Sequence, residues 1–88
     1  MRGLEDHRAQ ILRIAAAYGA SRVRIVEPDA EVDGLDVLVD MEPGRSLFDL
    51  VDLGQELGEL LGRPVDVIAE STLSPTLRAK VLATAREL

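Results

Sequence analysis

Two aspartates stand four residues apart in the stretch LDVLVD, residues 35 to 40. Apolar and other residues alternate in this stretch, which is typical of a β-strand, so Asp36 and Asp40 share one face of it. Carboxylates on a common strand face are compatible with a metal-dependent active site, because hard divalent cations prefer oxygen ligands. They are equally compatible with ordinary carboxylates at the edge of a small sheet.

His7 and Ser71 are the other side chains with chemistry to consider. A general base or a nucleophile needs a partner within hydrogen-bond reach, and nothing in the sequence places one beside either residue. His7 lies near the chain start among charged neighbours and is expected at the surface. Neither residue is a candidate for catalysis.

Composition bounds the molecule and its partners. Its 88 residues suggest one domain over 1–88, and 47% hydrophobic residues suffice for one aliphatic core. The absence of cysteine excludes a disulfide scaffold or a thiolate metal site and fits a cytoplasmic protein. Neither a signal peptide nor a segment of transmembrane length is expected, since Arg13 interrupts the apolar run after Gln10.

The net charge of −6 repels phosphate backbones, so direct binding of nucleic acid is not expected. An acidic chain suits a basic protein partner, although solubility alone also explains the charge.

Hydrophobic periodicity predicts six elements that position these residues. The helices cover 4–18, 46–61 and a last segment from Pro75, and the strands cover 22–26, 35–41 and 65–69. Boundaries are set by Gly19, Pro28 and the turn Asp33-Gly34, and by caps at Ser46 and Ser74. In the last helix we expect four residues to face inward: Leu77, Val81, Leu82 and Ala85.

The order α-β-β-α-β-α predicts an α/β (mixed α+β) fold with a small three-stranded mixed sheet. The short link makes the first two strands antiparallel, and the β-α-β unit over 35–69 makes the second and third parallel.

Gly54 and Gly58 lie inside the predicted second helix, where glycine costs about 1 kcal/mol relative to alanine. Close contact with a partner subunit explains them. Tight packing on the domain's own sheet explains them equally well.

The frame from Gln10 to about Leu82, above all DMEPGRSLFDLVDL followed by GRPVDVI, resembles the minimal nucleotidyltransferases of the DNA polymerase β superfamily. The resemblance implies an antitoxin that acts beside a HEPN-domain ribonuclease toxin. Some members of the family transfer AMP from ATP onto a tyrosine of the toxin. That chemistry uses a Gly-Ser after the first strand to hold the triphosphate, an Asp-x-Asp on the second strand, and a third acid on the third strand.

This sequence departs from the family pattern at two of these places. Glu27-Pro28 stands where Gly-Ser is expected, and only five residues separate Pro28 from Gly34, too few for the small nucleotide-holding helix. Aligning LDVLVD with the family motif places Gly34 at the first aspartate of Asp-x-Asp. Asp33 is one residue away and points to the other face unless the turn bulges.

The resemblance assigns the second aspartate to Asp36 and the third acid to Asp66, and leaves Asp40 as a carboxylate at the end of the sheet. Asp36 and Asp66 are thus the candidate metal ligands. The alternative is that they are solvated or paired with Arg24 or Arg63.

We therefore expect a nucleotidyltransferase fold without its chemistry, acting as a non-catalytic, antitoxin-like binding module for a HEPN-type toxin and needing no cofactor. One alternative is a transferase that uses Mg²⁺ and ATP through Asp33, Asp36 and Asp66. Another is a homo-oligomer that associates through the Gly54/Gly58 face or a sheet edge.

Overall fold

The computed structural model describes residues 4–26 and 34–88. The expectations placed on Glu27, Pro28 and Asp33 lie outside these ranges. Within them, three helices and four strands form, joined by two short 3₁₀ segments: Leu4–His7 and Glu70–Thr72. The helices are α1 (Arg8–Ala17), α2 (Leu47–Leu61) and α3 (Pro75–Thr84), and the strands are β1 (Ala20–Val26), β2 (Leu35–Met41), β3 (Val65–Ala69) and β4 (Arg86–Glu87).

The strands form one mixed sheet in the order β3-β2-β1-β4. β1 and β2 are antiparallel and β2 and β3 are parallel, which confirms the predicted α/β class and both pairings. The predicted number of three strands is wrong, because β4 pairs with β1 through Arg24 and Ile25. A strand of two residues is too short to produce a periodic pattern in the sequence.

α1 and α2 cover one face of the sheet with an aliphatic core. Ile11 and Ala15 of α1 and Leu53 and Leu57 of α2 are buried in a single cluster with the inward residues of β1 and β2. α2 begins with a capping box, in which the Asp49 carboxylate accepts a hydrogen bond from the Ser46 N–H at 3.0 Å. Its first turn therefore starts where the sequence predicts.

β1 begins two residues earlier than predicted and is irregular near its start. The pairing with β2 shifts between Ser21 and Arg24, and Arg22 adopts a φ of 48°. An extra residue in one strand of an antiparallel pair bends the strand and redirects the side chains that follow. Val23 and Ile25 face the core beyond this bulge, while Arg24 faces the opposite side of the sheet.

The inward face of α3 agrees with the predicted one only in part, since Val81 and Ala85 are half-buried but Leu77 and Leu82 are exposed. Leu77 and Leu82 are 48% and 39% exposed, whereas Arg78 and Val81 are half-buried. Ala85 caps the helix rather than lying within it. The helix starts as expected, since Ser74 caps it by accepting a hydrogen bond from the Leu77 N–H at 3.2 Å. The inward face was misplaced because Arg78, a charged residue, takes an inward position.

The two glycines of α2 pack against the domain's own third strand. A Cβ on Gly54 would lie 3.0 Å from the carbonyl oxygen of Val65, and one on Gly58 would lie 3.1 Å from that of Arg63. Of the two explanations for these glycines, packing on the sheet is therefore the one that the structure supports.

In the described part of the chain, no helix is both long and apolar enough to cross a membrane.

Candidate functional site

Asp36 and Asp66 lie side by side on β2 and β3. They are direct partners in the parallel register of the two strands. Neighbours in such a register project to the same face of the sheet, and adjacent strands are about 4.8 Å apart. Among residues 4–26 and 34–88, neither carboxylate has a hydrogen-bonding or ion-pair partner, so the predicted pairing with Arg24 or Arg63 is absent there.

This arrangement makes Asp36 harder to ionise. Partial burial raises the pKa of the Asp36 carboxyl above its ordinary value, and the negative charge of Asp66 raises it further. Both effects oppose the charged form. A half-buried carboxylate that lies beside a second one, without a partner among the described residues, is compatible with the remnant of a cation-binding site. The same geometry arises at any sheet face that two acids share.

The position that the family gives to its first aspartate holds Gly34, and a cation lies beside it. The Arg63 guanidinium donates a hydrogen bond to the Gly34 carbonyl oxygen at 3.2 Å. The Leu35 N–H next to it donates to the Pro64 carbonyl oxygen at 3.0 Å, which fixes the start of β2 against β3. At the position that the resemblance assigns to the first aspartate, the structure therefore has a backbone carbonyl oxygen that accepts a hydrogen bond from Arg63.

Asp40 belongs to a separate ion cluster at the other end of the same strand face. Four residues along a strand span about 13 Å, too far for Asp36 and Asp40 to share one ion. Asp40 instead accepts a hydrogen bond from the Arg24 guanidinium at 3.0 Å and contacts Arg22 at 3.4 Å. The sequence question about the two aspartates therefore has two answers: Asp36 belongs with Asp66, and Asp40 belongs with Arg24.

Arg24 is the centre of this cluster and is only 3% exposed. Its guanidinium bonds both Asp40 and Glu70, and its Nε–H donates to the Arg22 carbonyl oxygen at 2.8 Å. The hydrogen bond from Arg24 lowers the pKa of the Glu70 carboxyl. A buried guanidinium needs such partners on every side, because an unpaired charge in the interior is costly.

Sequence reasoning missed this cluster as a structural feature. It considered Arg24 only as a partner of Asp36 or Asp66 and did not predict that the side chain is buried. The signal available was weak: an arginine between Val23 and Ile25, in a strand with apolar neighbours. Its partners Asp40 and Glu70 lie 16 and 46 residues away along the chain, a separation that no local pattern reveals.

His7 and Ser71 remain outside the site. The His7 Nδ1 lies 3.1 Å from the Gln10 side-chain oxygen, one turn along the chain. Ser71 is exposed in the 3₁₀ segment that follows β3. Neither is brought to the carboxylate pair.

The described residues do not fit the metal-nucleotide site of an active nucleotidyltransferase. Mg²⁺ bound by one or two carboxylates completes its shell with water and substrate phosphates, so the protein must also hold the phosphates. Within residues 4–26 and 34–88, no group of three or more side chains of the types His, Cys, Asp and Glu is arranged to hold a metal ion. The sequence also supplies Glu27-Pro28, an anion and a residue without an N–H, where phosphate donors are needed.

Comparisons with known proteins agree with the fold. No protein-family model matches the sequence. A curated protein of Methanocaldococcus jannaschii, named "Putative protein adenylyltransferase", is 33% identical over 84 residues, which cover 90% of each chain. A solved structure, described as that of a "putative minimal nucleotidyltransferase", superposes with a TM-score of 0.83 at 39% identity and covers 97% of this chain and 92% of that chain.

More distant structures come from toxin–antitoxin complexes. One is a complex of tri-AMPylated Shewanella oneidensis HEPN toxin with MNT antitoxin, matched with a TM-score of 0.77 at 14% identity over 97% of this chain and 71% of that chain. Another is the MntA–HepT complex, matched with a TM-score of 0.75 at 14% identity over 94% and 69% of the two chains. At this identity the match shows a common fold alone.

Proposed function

The chain belongs to the minimal nucleotidyltransferase family, and we propose that it serves as a non-catalytic binding module that neutralises a HEPN-type toxin by occlusion. The observation that supports the proposal is a retained fold in a sequence that departs from the family motif at Gly34. Asp36 and Asp66 are neighbours in the register of β2 and β3, and the Arg63 guanidinium donates a hydrogen bond to the Gly34 carbonyl oxygen.

The fold tolerates this loss for a simple reason. β1 and β2 are antiparallel, so a short connection can replace a strand-helix-strand link without disturbing the sheet. The core lies on the opposite side of the sheet, between β1, β2 and the helices α1 and α2. Changes at the nucleotide-binding face therefore leave the packing intact, and a surface can be retained after the chemistry is lost.

The proposed partner follows from the fold neighbours, in which MNT antitoxins are in complex with HEPN toxins. A net charge of −6 suits a basic surface on such a partner, by which association is steered. In this proposal the chain needs neither Mg²⁺ nor ATP, and the complex forms in the cytoplasm, a compartment that suits a chain without cysteine.

Toxin neutralisation by a variant that lacks the Asp36 and Asp66 carboxylates tests the proposal directly. The chain is co-expressed with a HEPN-type toxin, and growth is compared between the wild type and the Asp36→Ala/Asp66→Ala double variant. Occlusion predicts equal rescue and a toxin mass without added AMP. Rescue that is lost in the double variant, together with AMP on the toxin, would instead establish a transferase with a rearranged site.

Calorimetric titration with ATP and Mg²⁺ is the second measurement. No saturable heat is expected from the wild type. Saturable binding that the Asp36→Ala variant abolishes would overturn the proposal and favour the enzyme. Asp52 is an exposed residue of α2, and the variant Asp52→Ala controls for the general loss of one negative charge.

A further inference from the structure

One side of α2 combines exposed apolar residues with exposed acids. Leu47, Phe48 and Val51 are 73%, 78% and 51% exposed. Asp52, Gln55 and Glu59 follow on the same side of the helix, because residues three and four apart share a helical face. These six residues are called the α2 outer surface below.

The apolar end of this surface continues into a groove. The groove lies between α2 and the edge strand β3, and Leu47, Val51, Gly54 and Val65 are among its lining residues. Exposed apolar residues that adjoin an apolar groove are typical of a protein interaction site.

The acids of the α2 outer surface are not held by other described residues of the chain. Among the described residues, Asp52 and Glu59 have no ion-pair or hydrogen-bonding partner. By contrast, the other two acids of α2 are held by the chain itself: Glu56 accepts a hydrogen bond from the Tyr18 hydroxyl at 2.6 Å, and Asp49 contacts Arg45 at 3.8 Å. From Leu47 to Leu61 the sequence contains no lysine, arginine or histidine.

We propose that the α2 outer surface binds one amphipathic helix of a protein partner, whose apolar residues enter the groove and whose lysines or arginines face Asp52 and Glu59. An amphipathic helix presents apolar anchors at spacings of three and four, which matches the pattern of Leu47, Phe48 and Val51. Opposite charges across the rim set orientation and association rate. The inference rests on the proposed function only in requiring a protein partner.

The same observations argue against a second copy of this chain as the occupant. Two copies joined through this surface would bring Asp52 and Glu59 of each protomer toward the acids of the other, without a basic residue of α2 to pair with them. Like charges opposed at an interface disfavour association. Nucleic acid is disfavoured for the same electrostatic reason.

Site-specific photo-crosslinking in the cells of origin tests the proposal. The photoreactive residue p-benzoylphenylalanine replaces Phe48 in one variant and Leu77 in a matched control, since Leu77 is also an exposed apolar residue but lies on α3. We expect a crosslink at position 48 to a helical segment that carries lysine or arginine beside apolar residues, and none at position 77. A crosslink to this chain itself, a crosslink to a segment without basic residues, or no crosslink at position 48 would overturn the inference.

The protein captured by crosslinking is then purified without the crosslink, and its affinity for variants of this chain separates this inference from the proposed function. Phe48→Ser and the double variant Asp52→Asn/Glu59→Gln should each raise Kd by about tenfold or more, and Leu77→Ser should not. If the captured protein is not of the HEPN type, the proposed function fails while the binding surface stands. If a HEPN-type protein is captured at position 77 alone, the proposed function stands and this surface is the wrong one.

Discussion

At the scale of single residues, Arg24 is the side chain that holds the ion cluster on the sheet together. It is buried between two carboxylates, Asp40 and Glu70, whose side chains remain 37% and 20% exposed. Arg24→Met keeps the apolar stem and removes the charge, which leaves both carboxylates without this partner. We expect the free energy of unfolding to fall by about 2 kcal/mol, less than for a fully buried pair because the acids retain contact with water.

Urea denaturation of Arg24→Met measures this loss, and Arg22→Met is its control. Arg22 contacts the same Asp40 but is 59% exposed, so its removal should change the free energy of unfolding by no more than about 0.5 kcal/mol. Equal losses in the two variants would mean that burial of Arg24 contributes nothing to stability.

Asp36 provides a second prediction, on the dependence of stability on pH. Its pKa in the folded state is raised, so ionisation of Asp36 weakens folding; this penalty is absent below its ordinary value of 3.8 and develops as pH rises through the folded-state pKa. Asp36→Asn, which cannot ionise, should therefore be more stable than the wild type at neutral pH. The difference should close as the pH falls below that value.

Thermal unfolding of both proteins between acidic and neutral pH measures this difference. Asp66→Asn should relieve less of the destabilisation caused by ionised Asp36 than Asp36→Asn does. The charge of Asp66 is the lesser cause of the raised pKa of Asp36, and partial burial is the greater cause. A carboxyl titration of Asp36 by NMR in the Asp66→Asn variant should therefore still show a raised pKa. A return to the ordinary value would mean that the neighbouring charge, rather than burial, is the main cause.

The residues that carry a periodic pattern were predictable, and those that depend on distant partners were not. Asp36 and Asp66 were placed on neighbouring strands because strand alternation and the β-α-β order fix which faces meet. The burial of Arg24 depends on Glu70, which follows β3 in a 3₁₀ segment. Its environment is set by a contact between two chain segments, and no spacing in either segment encodes it.

At the scale of elements, the contact between α2 and β3 sets the fit of the helix on the sheet. In an open helix, Gly→Ala stabilises by about 1 kcal/mol. At Gly54 the new Cβ meets the Val65 carbonyl oxygen at 3.0 Å, and this oxygen belongs to the backbone of the strand. We expect Gly54→Ala to lower the free energy of unfolding by about 1 kcal/mol, because the clash outweighs the gain in helix propensity.

Chemical denaturation of the Gly54→Ala variant is compared with that of Gln55→Ala, an exposed neighbour on the same helix. The control should change stability by no more than about 0.5 kcal/mol. A stabilised Gly54→Ala variant would show that β3 yields to the methyl group and that the glycine is tolerated rather than required.

The elements also show where pattern reading fails. α2 has a broad leucine stripe, and Leu53 and Leu57 of this stripe are buried, so its inward face can be read from the sequence. In α3 the apolar residues are spread around the helix, and Arg78 lies inward toward Glu70, at 4.0 Å. An apolar count alone then favours Leu77 and Leu82, which are exposed. Hydrophobic periodicity alone therefore does not identify the inward face of this helix.

At the scale of the whole molecule, the two faces of the sheet have separate roles. One face holds the aliphatic core under α1 and α2, and the other carries the carboxylate pair and the Arg24 cluster. Because Gly34, Asp36 and Asp66 lie outside the core cluster, the packing of the fold does not depend on them. The fold by itself therefore does not establish activity.

Net charge gives the last prediction, which concerns association with the proposed basic partner. A chain of net charge −6 attracts a basic surface over a distance that salt shortens, from a screening length of about 30 Å at 0.01 M to about 10 Å at 0.1 M. The association rate constant should therefore fall by roughly tenfold between about 0.05 and 0.5 M NaCl, with a smaller change in the dissociation rate constant. Stopped-flow mixing of the purified proteins measures both rate constants. Asp52→Asn/Glu59→Gln should flatten the salt dependence. Asp36→Asn/Glu87→Gln, which removes two carboxylates that do not line the α2–β3 groove, should flatten it less. An equal effect of the two double variants would mean that net charge alone, and not the acids of α2, directs the encounter.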